Sequence, residues 1–146
     1  MCGTIPYCAP EVFYGEGYTA ASDIYSLGIV LWELVYKYDY PLSIRLIRRL
    51  MTKHIAYRCL TGSQSNPYSE YKFNMEVHIL VQAAEENLRP TIPESCPKQM
   101  KELIRDCWNP DPRQRPNVHQ VIQALEAMEQ DYFNNALRWE NTRTLK

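Results

Sequence analysis

No apolar run in this 146-residue chain approaches the roughly 18 residues that a bilayer-spanning helix requires. Its first residues also lack the charged and apolar regions of a signal peptide. A cytoplasmic location without a transmembrane segment is the expectation. Neither sign of charge dominates: 16 basic and 17 acidic residues leave a formal net charge of −1, so nothing pulls the chain globally toward nucleic acid. The 5 cysteines, Cys2, Cys8, Cys59, Cys96 and Cys107, form no Cys-x-x-Cys pair and have no histidine at metal spacing. That disfavours zinc, so no metal site is expected, and it leaves free thiols in a reducing compartment as the reading. What is present is an ordinary balance of 45% apolar and 23% charged residues, which suits one globular domain.

The apolar spacing predicts a mostly helical chain. Ile24, Leu27, Leu31 and Leu34 share one helical face, and Ile29, Val30 and Val35 make the other faces apolar, the pattern of a helix buried all round. Between Glu76 and Glu86, Val77, Leu80, Val81 and Ala84 recur at helical spacing, and Arg89-Pro90 is expected to end that helix. A third helix is expected to open at Pro97, with Met100, Leu103, Ile104, Cys107 and Trp108 as its stripe. A fourth follows Pro116, capped by Asn117 with Gln120 three residues on, its stripe being Val118, Val121, Ile122, Leu125 and Met128. Trp108, inside a helical stripe, reads as core rather than as a ligand platform.

Three blocks carry a family resemblance. The first is Gly3-Thr4-Ile5-Pro6-Tyr7-Cys8-Ala9-Pro10-Glu11, ending in an Ala-Pro-Glu that, alone, also occurs at ordinary helix starts. The second, Ser22-Asp23-Ile24-Tyr25-Ser26-Leu27-Gly28, opens the central apolar helix. The third is Cys107-Trp108-Asn109-Pro110-Asp111-Pro112-Arg113-Gln114-Arg115-Pro116. In this order they resemble the end of the activation segment, the central helix and the closing turn of a protein-kinase C-terminal lobe. The implied fold is mainly α: the helical C-terminal lobe of the protein-kinase fold, incomplete, with no N-lobe and no catalytic loop. The partial domain is expected over 1–135, with an insert at 37–57 and a C-terminal tail at 136–146. Tyr25 in place of the commoner tryptophan, Leu31-Trp32-Glu33-Leu34 and Arg105-Asp106-Cys107-Trp108 lean toward the tyrosine-kinase-like and tyrosine-kinase branches, and Thr4 leans back toward Ser/Thr specificity; the combination most resembles a tyrosine-kinase-like Ser/Thr kinase, with tyrosine or dual specificity left open.

The resemblance implies roles at matching positions. Glu11 and Arg115 would form a buried ion pair across 104 positions, the bland alternative being two solvated surface charges. Gly3, Thr4, Tyr7 and Pro10 would line the peptide-receiving loop, with the Thr4 hydroxyl reaching toward the catalytic site; alternatively Thr4 satisfies its own turn. Asp23 is read as a helix cap, since the catalytic loop it braces in complete kinases is missing here. The glycine-rich loop, phosphate-pairing lysine, His-Arg-Asp and Asp-Phe-Gly do not occur in these residues. The chain is therefore assigned no catalytic residue and no cofactor of its own, ATP and magnesium belonging to the complete domain.

Joining Tyr36 directly to Arg58 would give a family-like run, so 37–57 looks separable. Within it Arg45, Arg48, Arg49 and Lys53 alternate with Ile44, Ile47, Leu50 and Met51 at helical spacing. It reads as a partner-binding or membrane-surface helix, a solvated loop helix, or a retained intron. Two functions stay open. One is the C-terminal portion of a protein kinase, inactive alone; the other is a non-catalytic module that engages a protein substrate or partner. Self-association through exposed core is a further expectation.

Overall fold

The structure, a computed structural model, describes residues 4–37 and 67–135. Five α-helices and two 3-10 turns follow one another among them. The turn Ile5–Tyr7 leads into α1 (Pro10–Phe13) and α2 (Ala20–Lys37). Then come α3 (Val77–Glu85), α4 (Lys98–Cys107), the turn Pro112–Gln114 and α5 (Val118–Asn134). The insert at 37–57 lies outside the described residues except for Lys37, the last residue of α2, and so does the tail at 136–146.

Helix α2 is central to the described core because apolar residues occupy most of its faces. Ile24, Tyr25, Gly28, Ile29, Leu31, Trp32 and Leu34 are buried, and Leu27, Val30 and Val35 pack partly buried against the same core. It lies against α4, which packs in turn on α5. Gly28 marks the crossing: a Cβ there would stand 2.9 Å from Cys107 Cβ and 3.3 Å from the Trp108 nitrogen. All five residues of the expected α4 stripe are buried, Trp108 at 4% exposure among them. Each large apolar side chain so placed contributes roughly 1.5–3 kcal/mol relative to exposure.

Local chemistry sets the helix ends, in three places differently from the sequence reading. Asn117 and Gln120 form a reciprocal capping box at α5 as expected, Asn117 Oδ1 accepting from the Gln120 N–H at 3.0 Å and Gln120 Oε1 from the Asn117 N–H at 2.8 Å. Val118, in the open first turn, stays 47% exposed rather than joining the stripe. At α4 the proline stands one position earlier than expected: Pro97 is the cap, extended at ψ 147°, and Lys98 is the first helical residue. Helix α3 stops before Arg89-Pro90 is reached, because Asn87 turns the chain out at φ 53° and Leu88 N–H bonds back to the Gln82 carbonyl. Asparagine tolerates this left-handed conformation better than most side chains. The buried face of α3 is Ile79, Leu80 and Ala83, with Val77 41% exposed, since the helix rests on α1 and the Ile5–Tyr7 turn. Spacing alone fits either face.

The thiol reading holds at two cysteines and fails at a third. Cys96 and Cys107 are free and buried. Cys8 is disulfide-bonded.

Candidate functional site

The first eleven residues put Thr4, Tyr7 and Pro10 on one short loop. Thr4 is extended (φ −83°, ψ 119°), and the chain then tightens into the Ile5–Tyr7 turn through Tyr7 N–H to Thr4 O at 3.1 Å and Cys8 N–H to Ile5 O at 3.1 Å. Pro10 opens α1, where its fixed φ and missing N–H cost nothing. The Thr4 side chain is exposed and makes no capping bond to its turn, so its hydroxyl is not consumed locally. Gly3 lies outside the described residues.

Helix α2 fixes this loop from beneath. The Tyr7 hydroxyl donates to Glu33 Oε1 at 2.8 Å, and Ser26 Oγ donates to the Tyr7 carbonyl at 2.8 Å. Burial raises the Glu33 pKa, with the Tyr7 hydrogen bond and the Lys37 charge pulling the other way. Sequence reasoning missed both anchors. Their signal was a polar stripe on an apolar helix: Ser22, Ser26 and Glu33 lie 4 and 11 positions apart, near whole turns of an α-helix.

Behind the loop stands the Glu11–Arg115 pair. Arg115 Nη1 meets Glu11 Oε1 at 2.6 Å and Nη2 meets Oε2 at 2.8 Å, a bidentate contact. Ser22 Oγ donates to Glu11 Oε1 at 3.0 Å, and Arg115 also donates from Nη1 to the Ala21 carbonyl at 2.9 Å and from Nε to the Asn109 carbonyl at 2.8 Å. Burial by itself would raise the Glu11 pKa; the Arg115 hydrogen bonds and charge, with the Ser22 bond, hold it below the usual carboxylate range. Tyr25 fills the space next to the pair, fully buried, with Arg89 Cζ 5.0 Å and Arg115 Cζ 5.1 Å from its ring centre.

Asp23 does not cap α2. Thr19 does: its hydroxyl accepts from the Ser22 N–H at 3.3 Å, while Ser22 Oγ accepts from the Thr19 N–H at 3.2 Å, leaving Asp23 exposed in the first turn. The cap position sits one residue before the helix, and Asp23 is the fourth residue inside it. Trp108 is core, and its carbonyl accepts from Arg89 Nε at 3.1 Å. Among the described residues no cluster of three or more His, Cys, Asp or Glu side chains is placed to hold a metal ion.

Comparison with known proteins gives this geometry its context. The family described as protein tyrosine and serine/threonine kinase matches residues 2–125. Stress-activated protein kinase alpha of Dictyostelium discoideum is 39% identical over 142 residues, which is 97% of this chain and 19% of that protein. A probable serine/threonine-protein kinase of the same organism is 39% identical over 97% of this chain and 5% of its own length. Ankyrin repeat-containing protein kinase A, also from Dictyostelium discoideum, is 38% identical over 99% of this chain and 9% of its own length. The chain thus spans a fifth or less of these relatives. With the family pattern covering most of its residues, the chain belongs to the protein tyrosine and serine/threonine kinase family.

Proposed function

We propose that these residues form the substrate-receiving and structural part of a kinase C-terminal lobe of the tyrosine-kinase-like Ser/Thr branch, in the cytoplasm. In the complete domain it would serve ATP-dependent phosphorylation of protein serine or threonine, or of tyrosine. The observation that carries this reading is the Thr4–Pro10 loop, anchored to α2 through Tyr7, Glu33 and Ser26 while the Thr4 hydroxyl stays unengaged by its turn. Gly3, Thr4, Tyr7 and Pro10 are the proposed peptide-contacting residues, and Glu11–Arg115 is the brace that holds the loop's far end.

The 146 residues by themselves are expected to transfer no phosphoryl group, because nucleotide positioning and charge neutralisation fall to motifs they do not contain. Calorimetry of the purified chain with ATP and magnesium should show no saturable heat. A clear isotherm would overturn this. The peptide-receiving role is tested separately by adding a serine peptide and following the amide signals of Thr4 and Tyr7; shifts confined to other residues would refute it. The chain could thus act as a non-catalytic interaction module, since the contacts that hold the loop come from α2 and Arg115, not from nucleotide. Self-association belongs to the same proposal. Exposed Phe13, Tyr14, Tyr18 and Met75 support it, and a monomer in sedimentation at all concentrations would exclude it.

A further inference from the structure

We infer that the cleft between the α3–α4 connection and the turn after α4 binds an oxyanion of the phosphate-monoester class. This cleft measures about 480 Å³, and among the described residues the only charged side chains lining it are two cations, Arg89 and Arg105. Arg89 is pinned in place: Nε donates to the Trp108 carbonyl at 3.1 Å, and Nη1 donates to the Ala83 and Leu88 carbonyls at 2.9 and 2.7 Å. Helix carbonyl ends offset part of its charge, and no carboxylate pairs with it among the described residues; with Nε and Nη1 bonded to carbonyls and Nη2 buried, Arg89 lends the cleft charge and leaves the hydrogen bonding to Arg105. Arg105, in the last turn of α4, is exposed and without a carboxylate partner among the described residues. Neighbouring acids point their chemistry elsewhere: Asp106 lines a separate groove against α5, and Glu70 accepts from the Thr91 N–H at 2.6 Å.

Neutral donors complete the cleft. Asn109 Oδ1 accepts from the Asp111 N–H at 3.0 Å, which leaves its amide nitrogen to donate, and Thr91 adds a hydroxyl. A guanidinium with amide and hydroxyl donors suits an oxyanion, and the volume admits the side chain that carries a phosphate as well as the group itself. This inference does not rest on the kinase reading, so its failure would leave that reading intact.

The test titrates the full 146-residue chain, followed through backbone amide NMR shifts, with inorganic phosphate, then with a phosphoserine peptide and its unphosphorylated twin. Saturable shifts at Thr91, Arg105 and Asn109 are expected with phosphate. Arg105→Gln, at an exposed site, should weaken binding roughly tenfold through loss of a charge-assisted contact. Asn109→Asp keeps the oxygen that holds Asp111 but replaces the donor with a negative charge, and should weaken it at least as much. A phosphopeptide that saturates well below phosphate supports a protein-borne phosphate as the source, and equal saturation supports the free ion. Absence of saturable shifts, or shifts that both variants leave unchanged, overturns the inference.

Discussion

Arg115 keeps none of its side chain in water and Glu11 only 7%, so losing one partner strands a charge that solvent cannot reach. Arg115→Met should destabilise the fold by about 3–5 kcal/mol in urea denaturation, and pairing it with Glu11→Leu should cost less than the single change, because no unpaired charge is then buried. Acid titration separates buried Glu11 from half-buried Glu33 by sign. Glu11 has a lowered folded-state pKa, so its contribution is present above the ordinary glutamate pKa and is lost as pH falls through the lower folded value. Glu33, raised by burial, does the reverse and favours the fold as pH drops through its folded value. Thermal melts against pH should therefore show a steeper acid loss for Glu33→Gln than for the parent, and a shallower one for Glu11→Gln. Motifs placed Glu11 and Arg115 as candidates for one another before any geometry was known. Glu33 and Ser26 showed only as a polar stripe along α2 that names no partner, since their importance depends on a loop that folds back over α2 from some twenty residues earlier.

The α2–α4 crossing depends on a missing side chain. Alanine would ordinarily improve a helix interior by about 1 kcal/mol over glycine, but at Gly28 its Cβ would meet Cys107 Cβ at 2.9 Å, an atom with no freedom to swing aside. Gly28→Ala should thus destabilise by roughly 1–3 kcal/mol, the range for overpacking a tight core, and a midpoint in denaturant at or above the parent's would refute the close approach. The capping box of α5 is the opposite kind of device, wholly local. Asn117→Ala should cost about 1 kcal/mol and speed amide exchange in the first turn of α5 while leaving α4 protected. Cap and proline signals made the starts of α4 and α5 legible to within a residue. The buried face of α3 and the true cap of α2 were not, because Ile79 and Thr19 are chosen by what packs or bonds against them.

At the scale of the whole described fold, helices α2, α4 and α5 close over one core that holds the free thiols Cys96 and Cys107. Burial pushes both Cys96 and Cys107 up to about 12, so the reactive thiolate is scarce at neutral pH. Iodoacetamide at pH 8 should leave both unmodified in the folded chain and label both in urea, read by peptide mass mapping; rapid labelling of Cys107 without denaturant would mean the α2–α4 contact opens readily. The sequence by itself determined the mainly helical character, the buried stripes of α2 and α4 and the family, because these rest on periodicity and on motifs carried within short stretches. The tertiary structure decided the rest: the Tyr7–Glu33 anchor, the two arginines beside Tyr25 and the cation-lined cleft. Each brings together residues from separate elements, and separation along a chain says nothing of distance until a core has closed around it.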